Sequence, residues 1–158
     1  SWSRCDTGTF PRFYLPNSVM FDDDVTVEEG VLSKKVLVVD DDVVWLTVVQ
    51  AWLKLAGYEV IGRGGSIGTL GAVKELRPDF VLLDVYMPGL NGDALASLIA
   101  HQVGDEGPGV VLCSGKELGE LQERAESVGA LGAIKKVADR HQFLAEVDRI
   151  FSSKTARA

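Results

Sequence analysis

The sequence predicts an α/β protein: a parallel sheet of five strands, wound on both faces by five helices. Three observations carry that prediction. From Lys34 onward, short apolar runs alternate with longer segments of helical period. Gly and Pro punctuate the junctions. Three of the runs are almost continuously apolar, a pattern needed by strands that are covered on both faces. The composition agrees: 46% hydrophobic and 25% charged residues among 158 belong to a chain that folds rather than to a disordered one.

Taken in order, the strand-length runs are Val36–Val39, Tyr58–Ile61, Phe80–Leu83, Val110–Cys113 and Gly132–Lys135. Between the first two, Trp45, Val48, Val49, Trp52, Leu53 and Ala56 recur at helical spacing, so Val44 to Ala56 is a predicted helix that Gly57 stops. Ser66 to Leu76 is the weakest helix, because Gly68 and Gly71 each disfavour it by about 1 kcal/mol. Asp93 to His101, Glu117 to Val128 and Asp139 to Phe151 are ordinary amphipathic segments. Strict alternation requires right-handed crossovers, which gives a (βα)5 doubly wound sheet of flavodoxin-like strand order 2-1-3-4-5. In such sheets, ligands bind beyond the carboxyl ends of the strands.

Residues 1–33 lack this periodicity. Pro11 and Pro16 interrupt scattered aromatics and acids, and we read the stretch as an extension, either a poorly structured leader or a docking segment. Residues 34–152 form the expected domain and 153–158 a tail, so no output domain is expected within this stretch of sequence.

A net charge of −7 without a Lys/Arg run opposes direct nucleic-acid binding. No stretch reaches the roughly 18 apolar residues of a membrane span, nor is there a signal-peptide pattern. Two distant cysteines, Cys5 and Cys113, suit a reducing compartment, and a cytoplasmic location is expected.

Chemistry collects at the strand ends. Asp40, Asp41 and Asp42 follow the first run, Asp84 the third, Ser114 the fourth and Lys136 the fifth. Several carboxylates in one crevice raise one another's pKa unless a cation neutralises them, which implies a divalent metal. Mg²⁺ is the natural candidate, since it prefers oxygen ligands and takes phosphoryl oxygens. A carboxylate such as Asp84 can attack phosphorus once Lys136 and a metal neutralise the transferring oxygens, and the Ser114 hydroxyl can hydrogen-bond another of them.

Val36-Leu37-Val38-Val39-Asp40-Asp41-Asp42 and Leu83-Asp84-Val85-Tyr86-Met87-Pro88-Gly89-Leu90-Asn91-Gly92, together with Ser114 and Lys136, resemble the response-regulator receiver domains of two-component signalling. The likeness covers about three quarters of the chain, from Lys34 to Phe151. It implies that Asp84 is the phosphoacceptor and that Asp41, Asp84 and the Tyr86 backbone carbonyl ligate Mg²⁺, with Asp40 acting mainly through water. It further implies that Ser114 and Lys136 engage the phosphoryl group and that the donor is a sensor histidine kinase or phosphotransfer protein. The chain would then be a self-phosphorylating switch rather than a turnover enzyme. It would act on a downstream protein, with self-association through the fourth helix, fifth strand and fifth helix as one output. The alternative is a pseudo-receiver, an interaction module that works without phosphorylation.

Two positions depart from that pattern. Val137 replaces the proline that usually follows the lysine, so a trans bond is expected. Ala133 stands where a rotating aromatic usually couples the site to the output face. Tyr86 and Lys116 occupy places where receivers tune hydrolysis of the aspartyl phosphate. Lys135 and Lys136 are neighbours, and strand alternation turns only one of them to the site, for which we take Lys136. Structural roles are expected elsewhere: Asp42 and Asn91 as helix caps, Trp45 and Trp52 in the core, His101 and His141 on the surface. Gly64-Gly65 lacks the ending of a phosphate loop.

Overall fold

Each face of the central sheet is covered because each strand offers apolar side chains in both directions. The computed structural model describes residues 33–157; the expected extension falls, apart from Ser33, outside them. The strands are β1 (Lys35–Val39), β2 (Glu59–Arg63), β3 (Phe80–Asp84), β4 (Gly109–Ser114) and β5 (Gly132–Lys135), all parallel and in the order β2-β1-β3-β4-β5. The helices are α1 (Val43–Leu55), α2 (Thr69–Leu76), α3 (Gly92–Val103), α4 (Leu118–Ser127) and α5 (Arg140–Arg157). The predicted doubly wound α/β fold is therefore the one observed.

Alternation along the strands divides the core in two. Val36 and Val38, Phe80 and Leu82, Val111 and Cys113, and Ile134 pack with α1 and α5 residues. Leu37 and Val39, Val81 and Leu83, Val110 and Leu112, and Ala133 pack with residues of α2, α3 and α4. Trp45, Trp52 and Phe143 join the first cluster as predicted for the tryptophans, with ring centroids 5.6 to 5.9 Å apart. Such ring pairs add about 1 kcal/mol each beyond the area they bury.

Four elements differ from their predicted bounds by two residues or more at one end. α2 begins at Thr69 rather than Ser66, because Gly68 at its amino end is left-handed at φ 75° and ends the preceding turn. β2 continues through Gly62 and Arg63, whose low strand propensity hid the pairing with Val38 and Val39. α3 runs two residues beyond His101, to Val103. α5 runs to Arg157, through residues taken for a tail, where Lys154 bonds the carbonyls of Asp79 and Gly107. No helix among the described residues is long and apolar enough to cross a membrane.

Candidate functional site

Parallel strands that start level also end level, so residues far apart in sequence meet at one edge. Asp40 lies one residue past β1, Asp84 and Ser114 close β3 and β4, and Lys136 lies one past β5. Neighbouring backbones fix these ends: the Asp40 amide donates to the Arg63 carbonyl at 3.0 Å, that of Val85 to Cys113 at 3.1 Å, and that of Lys136 to Ser114 at 2.7 Å.

Asp40, Asp41 and Asp84 converge, each offering a carboxylate oxygen within 4.8 Å of the others. Asp40 and Asp84 are buried, while Asp41 faces solvent. The Lys136 ammonium sits 2.6 Å from Asp40 and 3.4 Å from Asp84, and 5.9 Å from the centre of the Trp45 ring. Lys135 points elsewhere, 3.5 Å from Glu117 on the rim. Strand alternation thus separates the two lysines in the expected way.

Three carboxylates face one ammonium, leaving excess negative charge. Burial, and after it the charge of Asp40, pushes the Asp84 carboxyl up from 3.8 to about 6 despite Lys136. Burial opposes the charge of Lys136, yet the hydrogen bond and charge of Asp40, with Asp84 behind them, raise its pKa on balance. A set of hard oxygen donors whose acid resists ionising fits a hard divalent cation such as Mg²⁺.

The loops around the acids are shaped by their own residues. The Asp42 carboxylate accepts from the Val44 and Trp45 amides at 3.0 and 3.1 Å, so it caps α1 and is turned away from the cluster. One Asp40 oxygen is held by the Asp42 amide at 2.9 Å. Asn91 caps α3 through the Ala94 amide at 2.9 Å. Gly92 lets the loop after β3 fold back on itself, since a Cβ there would lie 2.3 Å from the Asp84 carbonyl oxygen.

Ser114 is 1% exposed and its hydroxyl accepts from the Lys116 amide at 3.1 Å. The Tyr86 amide makes a long bond, 3.4 Å, to an Asp84 oxygen, placing this residue beside the acceptor. Among the described residues no peptide is cis, so the Lys136–Val137 bond is trans. Ala133 is buried against the α4 side, where no ring stands in its place. Burial pushes the Cys113 thiol far up, which keeps it neutral and unreactive. His101 and His141 are exposed, as expected.

The sequence did not point to Asp93 and Arg124. Their side chains meet beside Tyr86 from α3 and α4, with Arg124 donating to Asp93 through two nitrogens and to the Tyr86 hydroxyl through a third. Nothing in one dimension marks a pair separated by 31 residues; only the crossover geometry brings them together.

Comparison with known proteins agrees with this geometry. Residues 36–148 match the family model of the response regulator receiver domain. The DNA-binding response regulator MtrA of Mycolicibacterium paratuberculosis is 34% identical over 85 residues, covering 54% of this chain and 36% of that protein. The chain therefore spans about a third of the length of the curated relatives it matches. Among solved structures, the chemotaxis response regulator CheY4 of Vibrio cholerae has a TM-score of 0.69 at 25% identity, covering 75% of this chain and 98% of that one. NtrX of Brucella abortus gives 0.71 at 28%, covering 80% and 29%.

Proposed function

This chain belongs to the response-regulator receiver-domain family of two-component signalling, and we propose that within it Asp84 is the residue that accepts the phosphoryl group. The observation that carries the proposal is the placement of a buried carboxylate beside two further acids and one ammonium, all at the carboxyl edge of a parallel sheet. An Asp84 oxygen attacks phosphorus in line, a P–O bond forms, and the P–N bond to the donor's imidazole breaks. Lys136 supplies positive charge to the equatorial oxygens, and the Ser114 hydroxyl, which accepts from the Lys116 amide, has its own proton free to donate to one of them.

Asp41, Asp84 and the Tyr86 carbonyl would hold Mg²⁺ directly, with Asp40 bound through water. When bound, the ion neutralises the phosphoryl oxygens and offsets the repulsion among the acids. We assign residues 34–152 to the receiver. The donor is a histidine kinase or phosphotransfer protein, and the output is a change in the face that another protein contacts.

Intact mass after treatment with acetyl phosphate and Mg²⁺ tests the reading. The expected result is a gain of one phosphoryl group, absent without metal and absent in Asp84→Asn. Equal masses in all samples would instead favour an interaction module that works without phosphorylation.

A further inference from the structure

The rim of the acceptor pocket is tied together by one side chain, Arg124. Helix side chains lean toward the amino end of their helix, and in α4 that end adjoins the loop carrying Lys116. The Arg124 guanidinium grips a single Asp93 oxygen with Nε at 2.8 Å and with Nη2. Its Nη1 donates to the Tyr86 hydroxyl at 2.9 Å. The Tyr86 ring centre lies 4.1 Å from the Lys116 ammonium and 5.3 Å from the centre of the guanidinium. A ring that is 41% exposed, and so free to change rotamer, is thereby held from two directions.

An exposed ion pair alone contributes little. Here the side chains of Arg124 and Asp93 are only 29% and 22% exposed, two guanidinium donors go to the carboxylate, and the remaining nitrogen reaches the phenol. The two residues that the clasp brings together also touch the site through their backbones: the Tyr86 amide bonds Asp84 and the Lys116 amide bonds Ser114. Their side chains therefore bridge the loops after β3 and β4, next to the acceptor.

Building on the assignment of Asp84 as phosphoacceptor, we propose that Arg124, anchored by Asp93, is a positioning residue that holds the Tyr86 ring against Lys116 and so shields the aspartyl phosphate from water. Hydrolysis forms a P–O bond from water, breaks the P–O bond to the Asp84 carboxyl, and releases inorganic phosphate with the water's proton passing to solvent. A fixed ring and cation narrow the approach for that water; a loose ring does not.

The test is the rate at which phosphoryl mass is lost once acetyl phosphate is removed, in wild type, Arg124→Met, Tyr86→Phe and the double variant. Met keeps an apolar stem, and Phe keeps the ring while losing the hydroxyl that Arg124 holds. Each single variant should lose the label about fivefold faster, equivalent to about 1 kcal/mol of barrier. The double variant should be no faster than either single one, and Arg124→Met should take up the label at the wild-type rate. A merely structural role would lower thermal stability and slow labelling without this non-additivity. Wild-type lifetimes in both single variants, or additive effects, would overturn the clasp while leaving Asp84 as the acceptor. A wild-type protein that takes no label would overturn both.

Discussion

The two faces of the sheet are built from different materials. On the α1 and α5 side the rings form two groups, Trp45 with Trp52 and Phe143, and Phe151 with Tyr58 and Phe80, the last stacked on Phe151 at 3.6 Å. On the α2, α3 and α4 side, the buried core among the described residues is aliphatic, and it includes the small side chains Ala96, Ala125 and Ala133. α4 buries only Leu121 and Ala125. Rings interlock and resist displacement, whereas a helix that buries only two side chains, with Leu118 and Val128 half-buried at its ends, shifts at lower cost. The aromatic face is thus the harder to displace, and the aliphatic face the easier.

Substitutions can break or sharpen that contrast. The largest effect is expected from Phe143→Ala, which removes the ring contacting both tryptophans and should cost about 4 kcal/mol in urea unfolding. Leu121→Ala should cost less, about 2.5 kcal/mol, because α4 can settle into the space; equal losses would mean that the two faces are equally rigid.

Asp84→Asn should act in the opposite direction. The folded-state pKa of Asp84 is raised to about 6 from 3.8, so its favourable contribution is present when it is protonated, below about pH 4, and is lost as pH rises through 6. At neutral pH the ionised group burdens the metal-free protein. The Asn variant should gain about 2 kcal/mol there, the gain should shrink as pH falls toward 4, and added Mg²⁺ should stabilise the wild type more than the variant. A smaller loss, about 1 kcal/mol in thermal unfolding, should follow Asp42→Ala, which removes the α1 cap without touching the acid cluster. A loss of metal binding in that variant would show that Asp42 belongs to the site after all.

How much of this was legible in the sequence depended on whether the determining contact was local. β1, β3 and β4 were plain because both of their faces are buried and their runs are apolar. The carboxyl-edge residues were plain because each comes at or just after the end of one of the strand-length runs. The amino end of α2 was not, since a left-handed Gly68 is decided by backbone conformation rather than by period. The extra turn of α5 was hidden because Ser152 to Lys154 are polar, and Lys154 is engaged by carbonyls from distant loops. The Asp93–Arg124 clasp left no signal at all, as both residues look like ordinary charges on amphipathic helices.

The central claim is that Asp84, rather than another of the clustered acids, carries the phosphoryl group. Its most direct test is hydride trapping after incubation with acetyl phosphate and Mg²⁺, because borohydride reduces an acyl phosphate to an alcohol that peptide mapping can locate. The account predicts homoserine at position 84 alone, dependent on metal and abolished in Asp84→Asn. Reduction at position 40 or 41, or an unmodified peptide 84 in a protein that gains phosphoryl mass, would contradict it.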